Sequence, residues 1–162
     1  MKINIKDYLI GMLGGIFVVI IVLSISFGAY NPLTIFAVNF GYSYASAVHS
    51  NDNFTNEIAD YCAIFLNRSN DEKVVECVVG YVTPYYNYSN RNNTFFGKAI
   101  KSPSEFKEET SICRDIAVVY DIVFRKYEWV TSYVFDEGHV YNHVSTENIS
   151  CTINGREWHC YG

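Results

Sequence analysis

Residues 104–144 read SEFKEETSICRDIAVVYDIVFRKYEWVTSYVFDEGHVYNHV. A polar lead-in ends at Cys113, where an apolar helical pattern begins. Ile116, Val119, Val123 and Tyr127 recur at the spacing of one helix face, and Ala117, Val118, Ile122 and Phe124 widen that stripe into a mostly buried helix over Cys113–Tyr127. Glu128 to Phe135 then turns β-like, and His139–Ser145 alternates as a strand. A cysteine opening a buried helix, followed about 25 residues later by a histidine on a strand, is an order in which a thiol nucleophile meets its base.

Working outward, Asn154-Gly155 is the strongest short hairpin signal in the chain, joining strands at Ile149–Ile153 and Arg156–Tyr161. Upstream, Ile58, Tyr61, Cys62 and Phe65 mark a helix over Asn53–Asn67. A second helix starts at the acidic, Asn-capped Asn70-Asp71-Glu72 and carries Val74, Val75, Val78 and Val79 towards Pro84. The Asn-, Tyr- and Ser-rich stretch 85–104 reads as a loop, and Ser102-Pro103-Ser104-Glu105 opens a short helical turn. Helices first and antiparallel strands afterwards predict an α+β domain.

The N-terminus predicts location. Tyr8 to Ala29 is an uncharged, apolar run long enough to cross a bilayer as one helix. Lys2 and Lys6 precede it and no Lys or Arg follows until Arg68, which places the N-terminus in the cytoplasm and the remainder outside. A cleaved signal peptide, with small residues at Ser26-Phe27-Gly28, is the competing reading; its apolar core would be shorter. The expected organisation is a signal-anchor helix over 1–30, a juxtamembrane linker over 31–52, and one domain over 53–162, with the membrane as a partner through residues 8–29.

Composition narrows the partners. Without Lys2, Lys6 and Asp7, 16 acidic residues face 10 basic ones, and no basic run offsets that balance. Such a surface repels phosphate backbones and argues against nucleic acid. Asn-x-Ser/Thr sequons at Asn53, Asn67, Asn87, Asn92 and Asn148 fit a glycosylated surface, although Asn-rich polar loops also generate them unaided.

Five cysteines leave an odd thiol in an exported domain. Cys62 and Cys77 sit in apolar, helix-compatible surroundings and are the pair expected to be bridged, two core thiols being the alternative. Cys151 and Cys160, on the arms of an Asn154-Gly155 turn, fall diagonally offset and fit a bridge poorly. Cys113 is the odd one out. Unpaired N–H groups at a helix start favour a thiolate, and an imidazole completes the activation. His139 and His143, four residues apart on a strand, lie about 13 Å apart and cannot share one thiol or one metal ion. No Cys-x-x-Cys pair occurs, so neither a metal nor another cofactor is expected.

Ser111-Ile112-Cys113-Arg114-Asp115-Ile116-Ala117 and His139-Val140-Tyr141-Asn142-His143-Val144 resemble the two motifs of the transglutaminase-like superfamily of papain-type cysteine enzymes. In that family a polar loop leads into Gly-x-Cys-Arg/Asp-Asp-Tyr-Ala at a helix start, and a strand carries His-x-Trp-Asn-x-Val. The resemblance implies helices packed on a small antiparallel sheet, with Cys113 as nucleophile and His139, the match to the family's first histidine, as base. It also implies an Asp or Asn after that strand, in a Gly-x-Trp-x-x-x-Asp context, to orient the imidazole. Counting from Trp158 reaches Gly162, where no carboxylate stands, leaving Asn142 or Glu157 as substitutes.

Two functional expectations follow. One is a membrane-anchored, extracytoplasmic cysteine hydrolase or acyltransferase acting on protein or peptide amides. The other is a non-catalytic surface glycoprotein with a degenerate version of the same fold, for which 14 tyrosines would furnish a binding face.

Overall fold

The computed structural model describes residues 32–66, 70–88, 100–136 and 139–162, with side chains from residue 39. Packing divides the chain into Met1–Gly41 and Tyr42–Gly162. In the first unit the described residues are helical and belong to α1 (Pro32–Val48), whose last turns lie in the second unit.

The second unit continues with α2 (Asn53–Leu66), α3 (Asp71–Val82), a 3-10 turn (Thr83–Tyr85), α4 (Pro103–Glu108) and α5 (Cys113–Lys126). Strands β1 (Val130–Asp136), β2 (His139–Ser145), β3 (Ser150–Asn154) and β4 (Glu157–Tyr161) form one antiparallel sheet in sequential order. Local chemistry sets the helix starts. The Asn70 side chain accepts the Lys73 N–H at 3.2 Å to cap α3. Ser102 and Glu105 exchange hydrogen bonds in a capping box that starts α4.

Helix α5 is the central element, buried at eleven of its residues, among them Ile116, Val119, Tyr120 and Val123. One side meets the helical layer through Phe54, Ile58, Val74, Val78 and Phe106; the other lies on the sheet through Val140, Val144, Cys151 and Ile153. Strand β2 therefore alternates, with Val140, Asn142 and Val144 buried and His139, Tyr141, His143 and Ser145 partly exposed. Asn142 ties the layers together by donating from Nδ2 to the Ala117 carbonyl of α5 at 3.0 Å.

Three expectations need correction. The expected fold class joined a transmembrane helix to the α+β domain. The run Tyr8–Ala29 lies outside the described residues, and among those described no helix is long and apolar enough to cross a membrane. The architecture described is α+β, helices against a four-stranded antiparallel sheet.

The second correction concerns the hairpin. Asn154 pairs with Glu157, so Gly155-Arg156 is the two-residue turn, with Gly155 at φ 61° in the first central position as a type II′ turn requires. That register sets Cys151 directly opposite Cys160, Cα–Cα 4.1 Å, and the two are bridged, overturning the diagonal offset expected of them. Cys62 and Cys77 are bridged as expected, joining α2 to α3. The third correction concerns the group beside His139 and belongs with the site.

Candidate functional site

Cys113 is the first residue of α5 and the one unbridged cysteine. Two contacts fix this helix start. The buried Asp115 carboxylate accepts the Ile112 N–H at 3.0 Å and, through its other oxygen, the Lys101 N–H at 3.2 Å. The same side chain thus caps α5 and pins the segment leading into α4. Ser111, which stands where the resembled family has glycine, is held by its N–H to the Asn87 carbonyl at 2.9 Å. Its hydroxyl is buried without a hydrogen-bond partner among the described residues.

The thiol is covered. Cys113 is 9% exposed and clusters with Ala117, Val118, Ile122, Tyr133 and Val140, while Tyr42, Ala45, Ile100 and Phe135 pack against that cluster. Burial, with the Cys113 thiol next, pushes the Tyr42 phenol well above its ordinary range.

His139 opens β2 at the same rim of the sheet, since its chain neighbour Val140 belongs to the Cys113 cluster. Strand alternation sends the imidazole to the side opposite Val140, and no hydrogen bond joins it to the thiol. His139 Nε2 instead lies 2.6 Å from Asn154 Oδ1 at the end of β3. With Oδ1 as the acceptor, this contact is made by a ring that carries a hydrogen on Nε2. The ring also lies over Tyr141, centroids 6.2 Å apart.

This is the third correction. The resemblance places an orienting group four residues past Trp158, at Gly162 just beyond β4, with Asn142 or Glu157 as substitutes; the side chain hydrogen-bonded to His139 is instead Asn154, at the end of β3. Asn142 is occupied with Ala117, and Glu157 stands beyond the turn opposite Asn154. The missed signal was topological: an Asn ending the strand that directly follows the histidine strand, 15 residues on. His143 is separate, with Nε2 2.7 Å from the Ser150 hydroxyl.

The hairpin turn that ends at this rim is anchored on the helical layer. The Tyr120 hydroxyl donates to the Gly155 carbonyl at 2.6 Å, and Arg156 donates to the Tyr86 carbonyl at 2.7 Å while lying over its ring. These contacts fix the turn that follows Asn154 against the middle of α5 and the segment after the 3-10 turn. Among the described residues no group of three or more His, Cys, Asp or Glu could hold a metal ion.

No family model, no curated protein and no solved structure matches this chain. Function is therefore read from the chemistry of these side chains.

Proposed function

We propose that this chain is an extracytoplasmic cysteine hydrolase or acyltransferase acting on protein or peptide amides, with Cys113 as nucleophile, His139 as base and Asn154 as the residue that orients the base. The observation that carries the reading is the 2.6 Å contact between His139 Nε2 and Asn154 Oδ1, on β2 and β3 of the sheet that follows a helix opened by an unbridged cysteine. A thiol enzyme needs the imidazole beside the thiol, so the reading requires the His139 ring to turn from the face opposite Val140, where β2 directs it, to the Cys113 side. The Cys113 sulfur would attack the amide carbonyl carbon and give its proton to His139 Nδ1. That proton would pass to the departing amine as the C–N bond breaks, leaving a thioester for water or a second amine to resolve. Export is supported by the two disulfides, which persist in oxidising compartments.

A second reading is favoured by the cover over Cys113 and by the side on which His139 leaves β2: a non-catalytic, exported binding domain. One experiment separates the two. Purified protein is treated with an electrophile that mimics an amide carbonyl, beside Cys113→Ser, His139→Ala and Asn154→Ala. The enzyme reading expects labelling that vanishes with Cys113→Ser, drops at least about a hundredfold with His139→Ala, and falls less with Asn154→Ala. Equal labelling of all four proteins leaves the binding-domain reading in place.

A further inference from the structure

We infer that the last turns of α1 form a displaceable strap over Cys113, so that access to the thiol is set by whether Tyr42 is seated. The inference concerns regulation of the site proposed above and rests on that reading for its biological meaning, though not for its physical content.

Three observations carry it. First, the cover on the Cys113 cluster that comes from outside α5 and the sheet includes Tyr42 and Ala45 of α1 together with Ile100. Tyr42 fits its ring between two aromatic residues of β1, with centroids 5.0 Å from Tyr133 and 5.6 Å from Phe135. Second, one buried polar contact latches the strap: the Ser46 hydroxyl and the Tyr133 hydroxyl are 2.6 Å apart. Third, the strap fits its bed poorly. Between it and α5 lies a cleft of about 390 Å³ lined by Ser43, Ser46, Ala47, Ile122, Arg125 and Lys126. Protein interiors are close-packed, and small serines over an open cleft forgo the dispersion contacts that hold a helix down. Tyr44 and Val48 of the same turns are 65% and 57% exposed, so these two side chains contribute little to seating it.

A segment held by the Tyr42 ring, Ala45, the Ser46–Tyr133 hydroxyl pair and, just beyond the helix, the Lys126 ammonium on the Ser50 carbonyl has few buried apolar contacts and belongs to the low-stability end of a domain, where local opening precedes global unfolding. Lifting Tyr42 removes the α1 ring from the cover on the Cys113 cluster, leaving Tyr133 and Phe135 of β1, without disturbing α5, whose start is held independently by Asp115.

The test is the rate of Cys113 alkylation by iodoacetamide on the non-reduced full chain, where the other four cysteines are bridged. Tyr42→Ala is expected to speed alkylation at least about tenfold, with the melting transition retained. Ser46→Ala is expected to speed it less, and Tyr42→Phe to keep the wild-type rate, since the ring rather than the hydroxyl provides the cover. Alkylation of wild type as fast as Tyr42→Ala overturns the strap, whatever the amide-mimic probe shows. Should Tyr42→Ala fail to fold, hydrogen exchange on the wild type decides: residues 42–48 must exchange faster than α5, and protection equal to that of α5 overturns the inference. Faster alkylation of Tyr42→Ala without any Cys113-dependent reaction with the amide mimic keeps the strap and removes the catalytic reading.

Discussion

Single residues at the rim of the sheet carry most of the chemistry and also mark a limit on the pH range of the fold. Tyr86 packs beside Phe106 and under Arg156, and burial, followed by the nearby Cys113 thiol, pushes its phenol up to about 12 from 10.0. The folded chain therefore holds that proton more tightly than the unfolded chain does. Its contribution is complete below pH 10 and is lost as pH rises through about 12. Tyr120, Tyr127 and Tyr133 are shifted in the same direction, chiefly by burial. Thermal melts at pH 9 and pH 11.5 are expected to show a clear fall in midpoint at the higher value, and Tyr86→Phe is expected to reduce that fall. An unchanged midpoint would mean that these phenols ionise without cost and are not buried as described.

Among the elements, the junction between α5 and β1 shows where local preference and fold disagree. Tyr127 caps α5 and Glu128 follows at φ 63°, the left-handed conformation that glycine adopts most readily at this position. The Glu128 N–H bonds to the Arg125 carbonyl and the Trp129 N–H to the Phe124 carbonyl, so the turn is determined by the helix end and not by its residue. Glu128→Gly is expected to stabilise the domain by about 1 kcal/mol, read from the midpoint of urea denaturation. A loss of stability would show that the Glu128 side chain makes up for the backbone cost. Trp129, stacked 5.2 Å from Phe124, then directs the chain into β1.

For the molecule as a whole, the bridges compensate for modest size. A domain beginning near Tyr42 has limited core, and a cross-link over 15 residues between α2 and α3 contributes about 3 kcal/mol by restricting the unfolded chain. Replacing Cys62 and Cys77 together by alanine is expected to cost at least that much, because Cys62 is also fully buried. Chemical denaturation of the double variant against wild type reads it directly, and a difference below about 1 kcal/mol would argue that the pair is not bridged in solution.

How much of this was legible beforehand depends on how local each decision is. The helix over Cys113–Lys126, the strand at His139–Ser145, the Asn70 cap and the Ser102–Glu105 capping box follow from periodicity and residue chemistry within a few positions. Cys113 at a helix start was readable for the same reason, and so was the bridge between two neighbouring helices. The partner of His139 and the Cys151–Cys160 bridge were not, because both depend on the register of β3. A slip of one residue turns every side chain of a strand to its other face, and that register is decided by Gly155 taking a positive φ while Tyr120 and Tyr86 hold the turn from the helical layer. The linear chain thus determined which residue types stand at the rim. Only contacts between residues 35 and 70 positions apart determined that Asn154 faces His139, and only contacts of still longer range, such as Ser46 with Tyr133, 87 positions apart, that Tyr42, from a helix outside the layers, covers the thiol.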